Sequence, residues 1–449
     1  MSKIYAGFGR YDITPQEYME MSGFGNDHER ISTVVLDHVF GTCIALRDET
    51  GKTVLLCTSD LLNAYTGSVV ENVRESIHAA TGVPKDHIMC AVVHNHSGPS
   101  PSRINERTSR YVDYYTKQMT RAAVDAINDL SEATISIASK VGERLTFDRH
   151  YFTNDGKPFG TRLGSIKSGI KCHMDKADEQ IQLIRFCRKE GRDILLTNWQ
   201  AHVTMVGKVS TDTEISADYV GAYRDHLEGS TGCKVAFFQG GAGNLGPGSR
   251  IKEELRVEPG DYRGYGRLLA ELALEALAEN TKPVNVGPIR TKQLIYAAEV
   301  DHSEDHLAPA ALEARELYNA AVDLPPAERI KIMTDRGFKT HLHAASIINR
   351  YKADPFTNVE LNAIAVGDIS FVTAPFEMFC SVPVHIKANT PYEMTFFMGY
   401  CNGSLSYLAD KKGFQYQTYE VQSRRFVEGT AENIGQTHLD MLKELKEEN

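Results

Sequence analysis

The sequence predicts an α/β protein of mixed β-sheets with flanking helices, and three observations lead there. Strand-like and helix-like patterns alternate through the first 150 residues, as they do in α/β architectures. Residues 53–93 run strand, helix, strand, which sets two strands parallel. Two later strand pairs, 180–186 with 194–199 and 360–366 with 369–373, are joined by Arg188-Lys189-Glu190-Gly191-Arg192 and Gly367-Asp368. The first join reads as a hairpin turn and the second is equally tight.

In chain order, strands are expected at 39–47, 53–59 and 88–93, the last two separated by helical spacing at Val69-Val70, Val73, Ile77 and Ala79. A second helix follows over about 107–130. After the hairpin, 216–228 is helical in pattern, 234–238 is a short strand, and 262–278 is an Ala/Leu-rich helix of high intrinsic propensity. The charged helical segment 308–337 is broken at Pro325-Pro326, where the ring and the missing N–H interrupt a helix. A helix over about 376–388, a strand at 395–400 and a closing amphipathic helix over 421–446 complete the pattern. No repeat of 20 to 50 residues is visible.

With 449 residues, 42% of them hydrophobic and 24% charged, the chain buries a sizeable core. A net charge of −10 and no Lys/Arg cluster exclude a nucleic-acid surface, which needs concentrated positive charge to displace counterions. No apolar run reaches the roughly 18 residues of a membrane span, and no stable membrane association is expected. The start Met1-Ser2-Lys3-Ile4-Tyr5-Ala6-Gly7 lacks a basic region followed by an apolar one. The eight cysteines lack Cys-x-x-Cys spacing and read as free thiols. Both features point to the cytoplasm.

The chemistry concentrates in His94-Asn95-His96-Ser97-Gly98-Pro99, directly after an apolar strand. Side chains two apart share a strand face, so an extended backbone would let His94 and His96 converge, and neutral imidazoles suit Zn²⁺. Two unrelated loop residues are the other reading of so short a motif. A metal needs further ligands, and His202 and Glu377 both follow apolar strand patterns, where open α/β sheets place functional groups. Each has a plain alternative: a core histidine for His202, a carboxylate at a helix N-terminus for Glu377.

Five segments, in order along nearly the whole chain, resemble the N-terminal catalytic domain of neutral/alkaline, non-lysosomal ceramidases. They are Ala6-Gly7-Phe8-Gly9-Arg10-Tyr11-Asp12-Ile13-Thr14-Pro15, Met21-Ser22-Gly23-Phe24-Gly25, the histidine segment, Ser216-Ala217-Asp218-Tyr219-Val220-Gly221, and Ser406-Tyr407-Leu408 through Phe414-Gln415-Tyr416-Gln417-Thr418-Tyr419-Glu420. The histidine segment is similar to that family's His-Thr-His-Ser-Gly-Pro. The resemblance implies one such catalytic domain over 1–449, with a helical insertion at about 303–345 and no C-terminal immunoglobulin-like domain. It implies one zinc ion per chain held by His94, His202, Glu377 and Tyr407, with His96, Arg149 and Tyr419 around the reacting group.

One departure matters. Where those ceramidases have Gly-Asp-x-Ser-Pro, this chain has Gly243-Asn244-Leu245-Gly246-Pro247, so a serine nucleophile is chemically impossible at Gly246. Gly243, Asn244 and Gly246 are expected to hold substrate, with backbone N–H groups of the Gly-rich loop available to an oxyanion; a tight turn is the alternative. The reading that follows is a zinc-dependent hydrolase of a small polar amide, lactone or ester, using metal-activated water, with His96 carrying a proton. Two others stand beside it: a non-catalytic zinc or ligand binder, and a ceramidase-like N-acyl amidase. The helical segment 308–337, with His341-Leu342-His343 just beyond it, reads as a solvated surface helix in preference to a lid. Oligomeric state is not legible.

Overall fold

In the computed structural model the described residues are 2–24, 30–63, 69–102, 104–160, 169–207 and 213–447. Two β-sheets pack face to face. The larger has eight strands in one path, in the order Lys234–Gln239, Ile194–Trp199, Gln180–Arg188, Ser131–Val141, Ile4–Asp12, Phe40–Asp48, Thr53–Ser59 and Ile88–Val92, with Lys282–Val284 added beside Ser131–Val141. Its two outermost pairs are parallel and the pairs between them antiparallel. The smaller sheet runs Ile289–Glu299, Phe356–Val366, Ile369–Thr373 and Met394–Met398, its last pair parallel.

Side chains alternate along these strands, which assigns each face to its own core. Leu56, Met89, Ile194 and Phe238 of the large sheet share one apolar cluster with Ile364, Phe371 and Phe396 of the small one. Cys57, Ile88, Cys90 and Val92 point the other way, into a core with helices Val69–Thr81 and Glu106–Asn128. Helices Asp218–Thr231 and Tyr262–Asn280 cover the rest of that outer face, and Ser381–Asn389 and Thr430–Glu447 cover the small sheet. The result is four layers, α/β/β/α. No helix among the described residues is long and apolar enough to cross a membrane.

Three expectations need correction. Glu377 does not open a helix: Glu377–Met378 is a short strand beside Tyr407–Leu408, and the helix begins at Ser381. The closing segment is two helices, Tyr419–Gln422 and Thr430–Glu447, and not one. Segment 308–337 is not a solvated surface helix. Its helices Ala308–Ala320 and Pro326–Thr334 close with the following helix His341–Tyr351 over a core of Ala311, Ala314, Tyr318, Met333, Phe338 and Ile347, and the first and third of these helices line the cavity described next.

Candidate metal centre

Chain segments leaving the ends of strands from both sheets meet at one place. Asn95 anchors the histidine segment, donating through Nδ2 to the carbonyls of Asp60 (3.1 Å) and Ser216 (2.7 Å) while its Oδ1 accepts from Ser97 N. Asn95 N donates to Leu61 O and His96 N to Val203 O, which ties this segment to the one carrying His202. Asp218 braces the loop beyond His202, its Oδ2 accepting from Met205 N and Val206 N, both at 2.8 Å.

The histidines converge, though not through an extended backbone. The strand ends at Val92, and His94 sits at φ +63°, a left-handed conformation uncommon for a side chain of this size. Its Nε2 lies 3.2 Å from Nε2 of His96. His94, His96 and His202 present ligand atoms within 4.8 Å of one another, a group that could hold a metal ion.

Hydrogen bonding divides the three. His94 Nδ1 lies 3.2 Å from Leu62 O, and His202 Nδ1 lies 2.7 Å from Ala242 O and 2.9 Å from Leu245 O. Carbonyls only accept, so in both rings the proton sits on Nδ1 and Nε2 offers a lone pair, the arrangement of metal-ligating histidines. His96 is opposite: Phe24 N–H donates to its Nδ1 at 3.2 Å, so the neutral ring carries its proton on Nε2. Burial and the charge of Arg149 push His202 down to about 4, which keeps it neutral at physiological pH.

Glu377 Oε2 stands 3.2 Å from His94 Nε2 and 3.4 Å from His202 Nε2, and among the described residues it receives no hydrogen bond. Ligands at about 2.0–2.1 Å from a tetrahedral zinc are about 3.3 Å from each other, so the two lone pairs and this buried oxygen fit such an ion. Tyr407 is the register partner of Glu377 across the short ladder. Burial, then the Glu377 carboxylate, hold its phenol well above the ordinary tyrosine range.

Arg149 is brought to the same place, Nη1 at 3.3 Å from His202 Nε2 and the guanidinium 5.4 Å from the Tyr407 ring. Its Nη2 pairs at 2.6 Å with Glu420, which is fully buried and whose other oxygen takes His150 Nε2 at 2.7 Å; His150 Nδ1 meets Asp148 at 3.0 Å. Tyr419 is buried with its ring 6.0 Å from that of Tyr407.

The glycine loop differs from expectation. Gly243 N donates to Met378 O and Gly240 N to Trp199 O, so neither can serve an oxyanion. Asn244 spends its side-chain oxygen on Cys380 N and its carbonyl on Arg149 N. Neither Gly243 nor Asn244 faces the cavity, whereas Gly246 does, and a side chain there would meet open space. Ser249 also lines the cavity and is bound to Glu254 at 2.5 Å and His173 at 3.2 Å.

Sequence reasoning missed Tyr400, which stacks on His94 with centroids 4.2 Å apart and whose buried hydroxyl has no hydrogen-bond partner among the described residues. It also missed Glu420, His150 and Asp148 as supports of Arg149. Asp148 beside Arg149-His150 and Glu420 beside Tyr419 were the available signal.

Mixed sheets with flanking helices and an imidazole cluster at the strand ends define an α/β protein with a candidate metal centre. The fold is that of neutral ceramidase. The crystal structure of neutral ceramidase from Pseudomonas aeruginosa matches with a TM-score of 0.74 at 18% identity, covering 100% of this chain and 75% of that one. A structure of a ceramidase complexed with C2 matches with a TM-score of 0.74 at 17% identity, covering 100% and 76%. No family model and no curated protein matches the sequence.

Proposed function

We propose that this protein is a zinc-dependent hydrolase of an amide, lactone or ester bond in a small polar substrate. The observation that carries the reading is the tautomer pattern: two imidazoles with Nδ1–H tied to carbonyls aim lone pairs at a buried, otherwise unsatisfied Glu377 oxygen. Likeness of fold to ceramidases, which by name are hydrolases, supports it. His94, His202 and Glu377 would hold the ion, with Tyr407 beside Glu377 as the fourth ligand. When bound, zinc polarises a carbonyl and lowers the pKa of a water toward about 7.

The chain's own residues do the rest. His96, protonated on Nε2 and held by Phe24 N, places a proton beside His94 Nε2, where a leaving amine or alcohol can take it. Arg149, fixed by Glu420, orients the substrate carbonyl or stabilises the charge that develops on its oxygen, with Tyr419. Gly246 leaves room where the resembling family has a hydroxyl, so the chemistry rests on water activation.

Metal analysis joined to a screen of amides, lactones and esters tests this. His94→Ala should lose bound zinc; His96→Ala should keep one zinc per chain and lose about 100-fold or more in turnover. Metal retained in His94→Ala would overturn the ligand assignment. The missing serine at Gly246 favours a second reading, a non-catalytic binder. Full metal occupancy without turnover on any substrate class would establish it.

A further inference from the structure

The centre opens into a cavity of about 1060 Å³, at the upper end of small-molecule sites. Among the described residues six arginines line it, in a chain whose net charge is −10. Three are neutralised: Arg149 by Glu420, Arg350 by Glu304, and Arg424 by Asp301 and Glu304.

The other three meet no carboxylate among the described residues. Arg250 lies over the Phe159 ring at 4.9 Å, a contact that holds the guanidinium without cancelling its charge. Among the described residues Arg425 donates to Thr357 Oγ1 alone, at 3.2 and 3.0 Å. Arg315 comes from the insertion helix Ala308–Ala320 and has no ion pair or hydrogen bond among the described residues. Against these, Glu258 and Glu377 are the acidic side chains on the lining, and Glu377 belongs to the metal centre.

We infer that the substrate carries an anionic group, carboxylate or phosphate, bound by Arg250 and Arg315 with Arg425 alongside. This deepens the hydrolase reading and rests on it for the bond cleaved. The guanidinium fork matches the paired oxygens of both anions, and a concave wall concentrates the field of charges left without counterions. The insertion thus has a specificity role: it brings one cation to a cavity whose chemistry sits on the sheets.

The test is binding, read by titration calorimetry with N-hexanoylglycine, N-hexanoyl-2-aminoethyl phosphate and the neutral N-hexanoylglycine methylamide. At low salt an anionic probe should bind at least about tenfold tighter than the amide, and the preference should shrink as salt screens it. The double variant Arg250→Ala/Arg315→Ala, checked for an unchanged melting temperature, should lose the preference; the stronger of the two anions identifies the group. His94→Ala should keep the preference while losing metal, which separates this anion site from ligation of a probe by the ion. Equal binding of all three probes, a preference persisting in the double variant, or one vanishing in His94→Ala would overturn the inference. None of these readouts needs turnover, so failure of the hydrolase reading registers separately.

Discussion

His94 takes a left-handed backbone that only a well-determined surrounding can hold, and such positions cluster where geometry serves chemistry. Stacking on Tyr400 and the hydrogen bonds of Asn95 on the next residue supply that surrounding. A second concentration of cost lies behind Arg149. Burial alone would lower His150, but the carboxylates of Glu420 and Asp148 outweigh it and raise the imidazole from 6.5 to about 9. A group raised on folding stabilises fully below its unfolded value and loses that contribution as pH climbs through the folded one. His150 should therefore contribute about 3 kcal/mol below about pH 6.5, vanishing by about pH 9–10. Urea denaturation of wild type and His150→Asn at pH 6 and pH 9.5 checks this. The stability gap between them should narrow by about that amount, and a gap that widens would refute the assignment. The residue types His94, His202 and Glu377 were legible in the sequence because each follows shortly after an apolar strand. Tyr400 was not, since nothing in a local pattern says which ring will lie on His94.

At the scale of single elements, the turn through Gly23 explains one resembling segment. Gly23 adopts φ +111°, and a Cβ there would stand 2.7 Å from His96 Nδ1, the nitrogen that accepts from Phe24 N. Gly23→Ala should therefore push the imidazole aside, costing about 1–3 kcal/mol in stability and about 100-fold in turnover. Zinc content should stay at the wild-type level, measured on the same preparation; zinc lost along with activity would mean that His96 is a ligand. The elements themselves were read with uneven success. Residues 53–59 and 194–199 came out with the observed bounds because fully buried strands are continuous apolar runs. Strand Ile4–Asp12 escaped as an element because Gly7 and Gly9 interrupt its pattern. Both glycines are there so that helix Glu106–Asn128 can cross closely: a Cβ would meet Ala126 O at 2.0 Å and Ala122 O at 2.1 Å. The helix expected at 376–388 starts five residues late because residues 377–378 are claimed by pairing with Tyr407–Leu408.

For the whole molecule, the apolar layer shared by both sheets should couple their unfolding. Phe371 of the small sheet is fully buried in that layer, edge-on to Phe396 and in one cluster with Phe238 and Ile194 of the large sheet. Phe371→Ala should cost about 3–5 kcal/mol. Trp199, the sole tryptophan, lies in the large sheet and reports on it by fluorescence. Its transition should move to lower denaturant together with the circular-dichroism transition. An unmoved fluorescence midpoint would show that the sheets unfold separately. The sequence by itself determined the fold class, most strands of the two main sheets but not Ile4–Asp12, Ser131–Val141 or Ile289–Glu299, most of the long helices, and the candidates His94, His202 and Glu377, because period and strand-end position are local properties. Tertiary structure alone decided that His96 holds its proton on Nε2, that Gly243 and Asn244 brace the segments carrying Met378, Cys380 and Arg149, and that helix Ala308–Ala320 brings Arg315 to the cavity wall. Those outcomes depend on which distant backbone groups and charges arrive at each side chain, and no spacing along one chain encodes that arrival.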